Sequence, residues 1–189
     1  MGPIRVAEEP WRTQLGFLYP PPMRHIIGIL LQNESGALSR VAGLFSSRGY
    51  NIESLSVAAT DDPALSRITL VTKGSEAVIH QIVSQLNKLI DVVAVDDMTS
   101  DDHLERELAL VKLRLQAGQR EAVMALVDQA GGRVLSDNKD CLIVELTSSE
   151  IAILRFAQSL EAHGELLEVV RSGALGISRQ DHVLHVVEP

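Results

Sequence analysis

Residues Leu30–Leu55 read LLQNESGALSRVAGLFSSRGYNIESL. The two leucines close a continuous apolar run, HIIGILL, that begins at His25 and has the character of a central strand. The polar group Asn33-Glu34-Ser35-Gly36 interrupts it. ALSRVAGLFSSR follows, with Leu38, Val41, Ala42, Leu44 and Phe45 at spacings of three and four, which predicts an amphipathic helix. Gly49 is placed to end that helix. A polar knot between a strand and a helix is either a plain turn or a place where something small is held.

Outward from this stretch the pattern continues. NIESLSVAAT and LSRITLVT read as two strands bridged by the turn residues Asp61-Asp62-Pro63-Ala64. SEAVIHQIVSQLNKLI puts Val78, Ile79, Ile82, Val83, Leu86 and Leu89 on one helical face behind a Ser75 cap. DVVAVDDM is a further strand, so the order is β-α-β-β-α-β, a ferredoxin-like module. A second pass follows the acidic link TSDDHLE. ERELALVKLRLQ is a strand, and GQREAVMALVDQAG is a helix with Ala122, Val123, Leu126 and Val127 inward. GRVLSD and DCLIVELT are strands joined at Asp137-Asn138-Lys139. SSEIAILRFAQSLEAHG is a helix opened by Ser148 or Ser149, and LLEVVRSG closes the unit. The fold class is therefore α+β, two ferredoxin-like βαββαβ modules. Each has helices on one sheet face only, which leaves the other face uncovered and makes association, a homodimer first, the expectation.

Composition narrows the function. The chain has 189 residues, a formal net charge of -8 and 46% apolar residues, with only 3% aromatics, so aliphatic side chains build the core. The charge and the absence of a basic run argue against nucleic acid or an anionic membrane as the partner. No apolar run has the length of a membrane span. The single cysteine, Cys141, forms no internal disulfide and reads as a small buried hydrophobe. Residues 1–22 end in Pro20-Pro21-Pro22 and lack the apolar centre of a signal peptide. They read as an arm, or as sequence upstream of a start at Met23. None of the six histidines has helical metal-ligand spacing, and no P-loop or Gly-x-Ser-x-Gly elbow is present.

The knot itself has usable chemistry. Ser35 is placed to cap the helix. Amides from around Gly36, Ala37 and Leu38 then point out of the helix N-terminus toward an anion such as a carboxylate. Gly36 lets a ligand approach the backbone, and the carbonyl of Asn33 suits an ammonium group. The loop thus suits a zwitterion, although the same residues also form ordinary helix starts. The second module has AGQRE at the corresponding junction, so the two modules differ in role.

RHIIGILLQNESGALSRVAGLFSSRGYNIESLSVAATDDPALSRITLVT closely resembles the regulatory small subunits of acetohydroxyacid (acetolactate) synthase. The likeness continues through VVAVDDMT, HLERELALVKL and VVRSGALGISR, from about Met23 to Arg179. It implies an N-terminal ACT domain (23–99), a link (100–104), a C-terminal ACT-like domain (105–179) and a tail (180–189). It implies a non-catalytic, cytoplasmic protein that binds a thiamine-diphosphate-dependent catalytic subunit, raises its activity and makes it sensitive to valine. Thiamine diphosphate, magnesium and FAD would belong to that large subunit. The effector would sit between two ACT domains, with Asn33, Ser35, Gly36, Ala37 and Leu38 from one chain and Asn51 and Ile52 from the other. The alternative is an amino-acid-binding ACT module that regulates another enzyme or transcription.

Overall fold

β1 (Met23–Gln32) is the long inner strand about which the first module is built. In the computed structural model residues 23–181, 183 and 184 are described. The expected arm at 1–22, and His182 and His185 with most of the expected tail, lie outside them. After β1 come α1 (Ala37–Ser47), β2 (Ile52–Ala59), β3 (Leu65–Gly74), α2 (Glu76–Leu86) and β4 (Val92–Asp97). The strands form one antiparallel sheet in the order β2-β3-β1-β4. Alternation along β1 sends Ile27, Ile29 and Leu31 to the helix face, where they meet Val41 and Phe45 of α1 and Ile79, Ile82 and Leu86 of α2.

The second module repeats the order as β5 (His103–Leu115), α3 (Arg120–Ala130), β6 (Arg133–Asn138), β7 (Cys141–Ser148), α4 (Glu150–Glu161) and β8 (Gly164–Arg171). Ala109, Val111 and Leu113 of β5 pack on Val123 and Val127 of α3 and on Ile153, Phe156 and Leu160 of α4. Ser149, one of the two expected caps, accepts a bond from the Ala152 amide at 3.4 Å. Ser75 occupies the N-cap position of α2 with extended backbone, without a side-chain bond.

Two features depart from the expected pattern. A ninth strand, β9 (Leu175–Ser178), pairs with His103–Arg106 at the front of β5. Part of the expected 100–104 link is therefore strand. The strap from Arg171 to β9 also crosses the outer face of the first sheet, so that face is not bare. Ala174 joins Ile26, Val71 and Met98 in a third buried cluster. The Ala174 amide donates to Ser54 Oγ at 2.9 Å, and Arg67 donates to the Gly176 carbonyl at 3.1 Å. At Gly176 a Cβ would fall 2.8 Å from Ile26 Cδ1 and 2.9 Å from Met98 Cε, so any larger residue there would have to displace the ends of those two side chains. Charged pairs flank the seam: Arg24 forks onto Glu105 at 2.8 and 2.6 Å, and Arg171 forks onto buried Glu107 at 3.0 and 2.6 Å.

Two glycines set opposite expectations for stability. A Cβ on Gly164 would lie 2.3 Å from the Arg114 carbonyl oxygen, so Gly164→Ala should destabilise by about 1–3 kcal/mol as the backbone shifts. Gly43 lies inside α1 with nothing within 4 Å of the added carbon, so Gly43→Ala should stabilise by about 0.5–1 kcal/mol. Urea unfolding of both variants checks the pair.

Candidate effector site at the start of the first helix

The turn between β1 and α1 is tied down on both sides. The Gln32 amide donates to the Asp91 carbonyl at 2.8 Å and the Asn33 amide to the Ala64 carbonyl at 2.7 Å. Asn33 Nδ2 donates to the Pro63 carbonyl at 3.0 Å, which leaves Oδ1 with no donor among the described residues. Gly36, not Ser35, occupies the N-cap of α1, at φ 84° and ψ -9°, and no side chain caps the helix. The expectation of a Ser35 cap fails because the chain enters the helix through a left-handed residue, a conformation cheap only for glycine.

An uncapped start leaves its donors open. The Ala37 amide turns back to the Glu34 carbonyl at 3.2 Å, whereas the Gly36, Leu38 and Ser39 amides have no acceptor among the described residues. Leu38, expected on the inner face, instead stands 39% exposed beside these amides. Ala37 is buried beneath them.

Arg40, which the sequence reading did not single out, completes the arrangement. Helical side chains lean toward the N-terminus, which carries its guanidinium back over Gly36. Nε and Nη2 bond the two oxygens of buried Asp91, the latter at 2.7 Å. Nη1 has no acceptor among the described residues and lies 3.1 Å from the place a Gly36 Cβ would occupy. The bond to Arg40 holds the Asp91 carboxyl below the usual carboxylate range, against a smaller opposing effect of burial. The only sequence signal for Arg40 is its place one turn beyond Gly36. Asp91, 51 positions away, has none.

Asn51 and Ile52 are elsewhere. Ile52 pairs with Thr72, while the loop end of β1 pairs with Leu65, seven residues earlier on β3 and about 23 Å away. Asn51 donates to Glu53 at 2.8 Å and accepts from Thr72 Oγ1 at 2.6 Å. One chain therefore brings Asn33, Ser35, Gly36, Ala37 and Leu38 together and keeps Asn51 and Ile52 at the opposite end of the sheet. Among the described residues no cluster of metal-ligating side chains occurs, and no helix is long and apolar enough to cross a membrane. Cys141 is a partly buried free thiol.

Fold and loop together define an ACT-type architecture, and comparison with known proteins narrows it. Residues 27–94 match the family described as "AHAS small subunit-like ACT domain", and residues 106–180 match "Small subunit of acetolactate synthase". The acetolactate synthase isozyme 3 small subunit of Salmonella typhimurium is 46% identical over 162 residues, covering 86% of this chain and 99% of the relative. Its Escherichia coli counterpart is 44% identical over the same length and coverage. The crystal structure of the acetolactate synthase small subunit from Thermotoga maritima superposes with a TM-score of 0.76 at 31% identity, covering 85% of this chain and 99% of that one. The chain belongs to the acetolactate synthase small-subunit family.

The Arg40–Asp91 pair gives a pH-dependent expectation. A carboxylate held low when folded stabilises above its unfolded pKa and loses that contribution as pH falls through the folded value. Asp91→Asn should therefore lower Tm at neutral pH, with the deficit shrinking as pH drops below about 4. Thermal melts of both proteins across pH measure it, and a constant deficit would remove the ion pair as its cause.

Proposed function

We propose that this chain is a non-catalytic regulatory subunit that binds valine between two copies of itself and so feedback-regulates the thiamine-diphosphate-dependent catalytic subunit of acetolactate synthase, which it otherwise activates. On this reading residues 23–99 sense the effector and residues 105–179 form the second module. The relatives' designation as acetolactate synthase small subunits supports the choice of partner. The observation that carries the effector site is the convergence of open amides and an unused guanidinium nitrogen on a residue without a side chain.

A two-fold axis assembles the rest. β2 is an edge strand of the first sheet, free to pair with β2 of a second copy. α1 leaves β1 and returns to β2, so it crosses over β3, which lies between them. Antiparallel β2–β2 pairing then brings the partner's strand start to the end of the sheet where α1 begins. From the end of β1 to the partner's β2 is three strand spacings, roughly 14 Å, a gap that the start of α1 narrows as the helix crosses over β3 toward that strand. Valine's carboxylate meets the amides of Gly36 and Leu38 beside Arg40, its ammonium meets Asn33 Oδ1, and its isopropyl group packs on the Ile52 position of the second copy. Helix-terminus binding is worth up to about 2 kcal/mol and the buried isopropyl about 1.5–3 kcal/mol. With about 1.5–3 kcal/mol more from the charged hydrogen bond at Asn33, less the cost of ordering, a net of about 5–6 kcal/mol corresponds to affinity on the order of 0.1 mM.

The first sheet's outer face is occupied by the strap. The outer face of the second sheet, with Leu108, Leu110, Ile143 and Val170, is the apolar surface left for the catalytic subunit.

The test is acetolactate formation by the cognate catalytic subunit, with and without this chain and valine. Gly36→Asp places a carboxylate against the amides and Arg40, so it should preserve activation and abolish the valine response. Asn33→Ala should weaken valine binding roughly tenfold, one hydrogen bond to a charged group. Normal inhibition through Gly36→Asp would remove the loop from the mechanism. Absence of any activation would remove the subunit assignment.

A further inference from the structure

A cavity lies where the strap crosses the first sheet. It has a volume of about 390 Å³, within the range of small-molecule sites. One wall comes from the first module, with Glu53 and Lys73. The other comes from the second, with Glu107, Glu150 and Arg171, and Arg24 of β1 reaches between them. Val71 and Ala174, both buried, supply an apolar floor, and Ser54 Oγ lies beside it. Gly173, at φ 81°, brings the strap backbone over Ser54, so the walls are held in place by the main chain.

The charges on this lining decide what fits. Arg24, Lys73 and Arg171 are interleaved with Glu53, Glu107 and Glu150 on this lining, and Glu105 stands behind Arg24. A ligand with net charge of either sign would leave that charge uncompensated in a partly desolvated cleft. A zwitterion adds none. The pairing also leaves capacity on both sides. Arg171 uses Nε and Nη2 on Glu107 and Glu150, and Nη1 has no acceptor among the described residues. Lys73 Nζ commits one hydrogen to Glu53 at 3.2 Å and has two left. Glu53 and Glu150 are partly exposed and keep lone pairs for an ammonium. We infer that this inter-module cleft is a second binding site, for a small aliphatic α-amino acid. Its carboxylate lies toward Lys73 and Arg171, its ammonium toward Glu53 and Glu150, and its side chain lies on Val71 and Ala174. The site is separate from the loop at Gly36 and does not depend on it.

The experiment uses the full chain carrying Gly36→Asp, which closes the loop site. L-valine is titrated by calorimetry and by amide chemical shifts, with 3-methylbutanoate and 2-methylpropylamine as probes of one charge each. Expected are one valine per chain, shifts at the Gly173 and Ala174 amides, and at least tenfold weaker binding of both single-charge probes. Lys73→Glu should weaken valine at least tenfold, and adding Glu53→Lys should restore it, because the exchange returns the lining to balance. No valine-dependent shift at Gly173 and Ala174 overturns the proposal. So does binding of either single-charge probe as tight as valine. If wild type binds valine and Gly36→Asp does not, the cleft falls and the loop reading stands. If both bind one valine per chain with equal affinity and the shifts lie at Gly173, the loop reading falls and the cleft stands.

Discussion

A sheet with both helices on one side has to hide its second face, and here the chain hides the first sheet's second face with its own strap. Gly176 packs so closely on the Ile26–Met98 pair that an added Cβ would push against the ends of both side chains. Around it Ser54, Thr69 and Arg67, all pointing to the outer face, bond the strap backbone. A buried backbone needs such partners, since an unmet amide or carbonyl costs about as much as a hydrogen bond is worth. The apolar cluster, the polar bonds and the flanking ion pairs therefore act together to fix one module on the other. That docking creates the cleft at Glu107 and Arg171, and it places the second module within a few residues of the start of β2.

The order of elements was legible because each element shows its own period. Buried runs of β1 and β3, and the three-and-four spacing of α1 and α2, arise from the same burial the structure displays. β9 was not legible. Its four residues include a glycine, its pairing partner lies about 70 positions earlier, and its exposed Leu175 and Ile177 give it no buried alternation. A short strand with only long-range pairing leaves little local trace.

At the loop, residue types pointed to open backbone donors for a partly wrong reason. Serine before a helix usually caps it, so Ser35 was the natural choice, yet Gly36 takes the cap in a left-handed turn. That exchange matters for the chemistry. A serine cap would consume one of the open donors, whereas a glycine cap leaves them open and lets the Arg40 guanidinium come over them. Arg40 and Asp91 were invisible for a different reason. An ion pair between a helix and a strand start depends on packing, which a single sequence does not display.

The 23 Å between the loop and the start of β2 is the reason a second chain enters the proposal at all. If one effector touches both ends, it can do so only across two chains that run antiparallel, so occupancy and dimer geometry share a free energy. By linkage, whatever valine adds to that pairing, the pairing adds to valine affinity. The strap extends the consequence. Ser54 lies three residues beyond Asn51 and bonds Ala174, which precedes β9. Any shift of the β2 start that effector binding favours must either carry the strap with it or break that bond. On the proposed docking, a catalytic subunit seated on the second module would act on the same equilibrium from the other side if it favoured one strap position over the other.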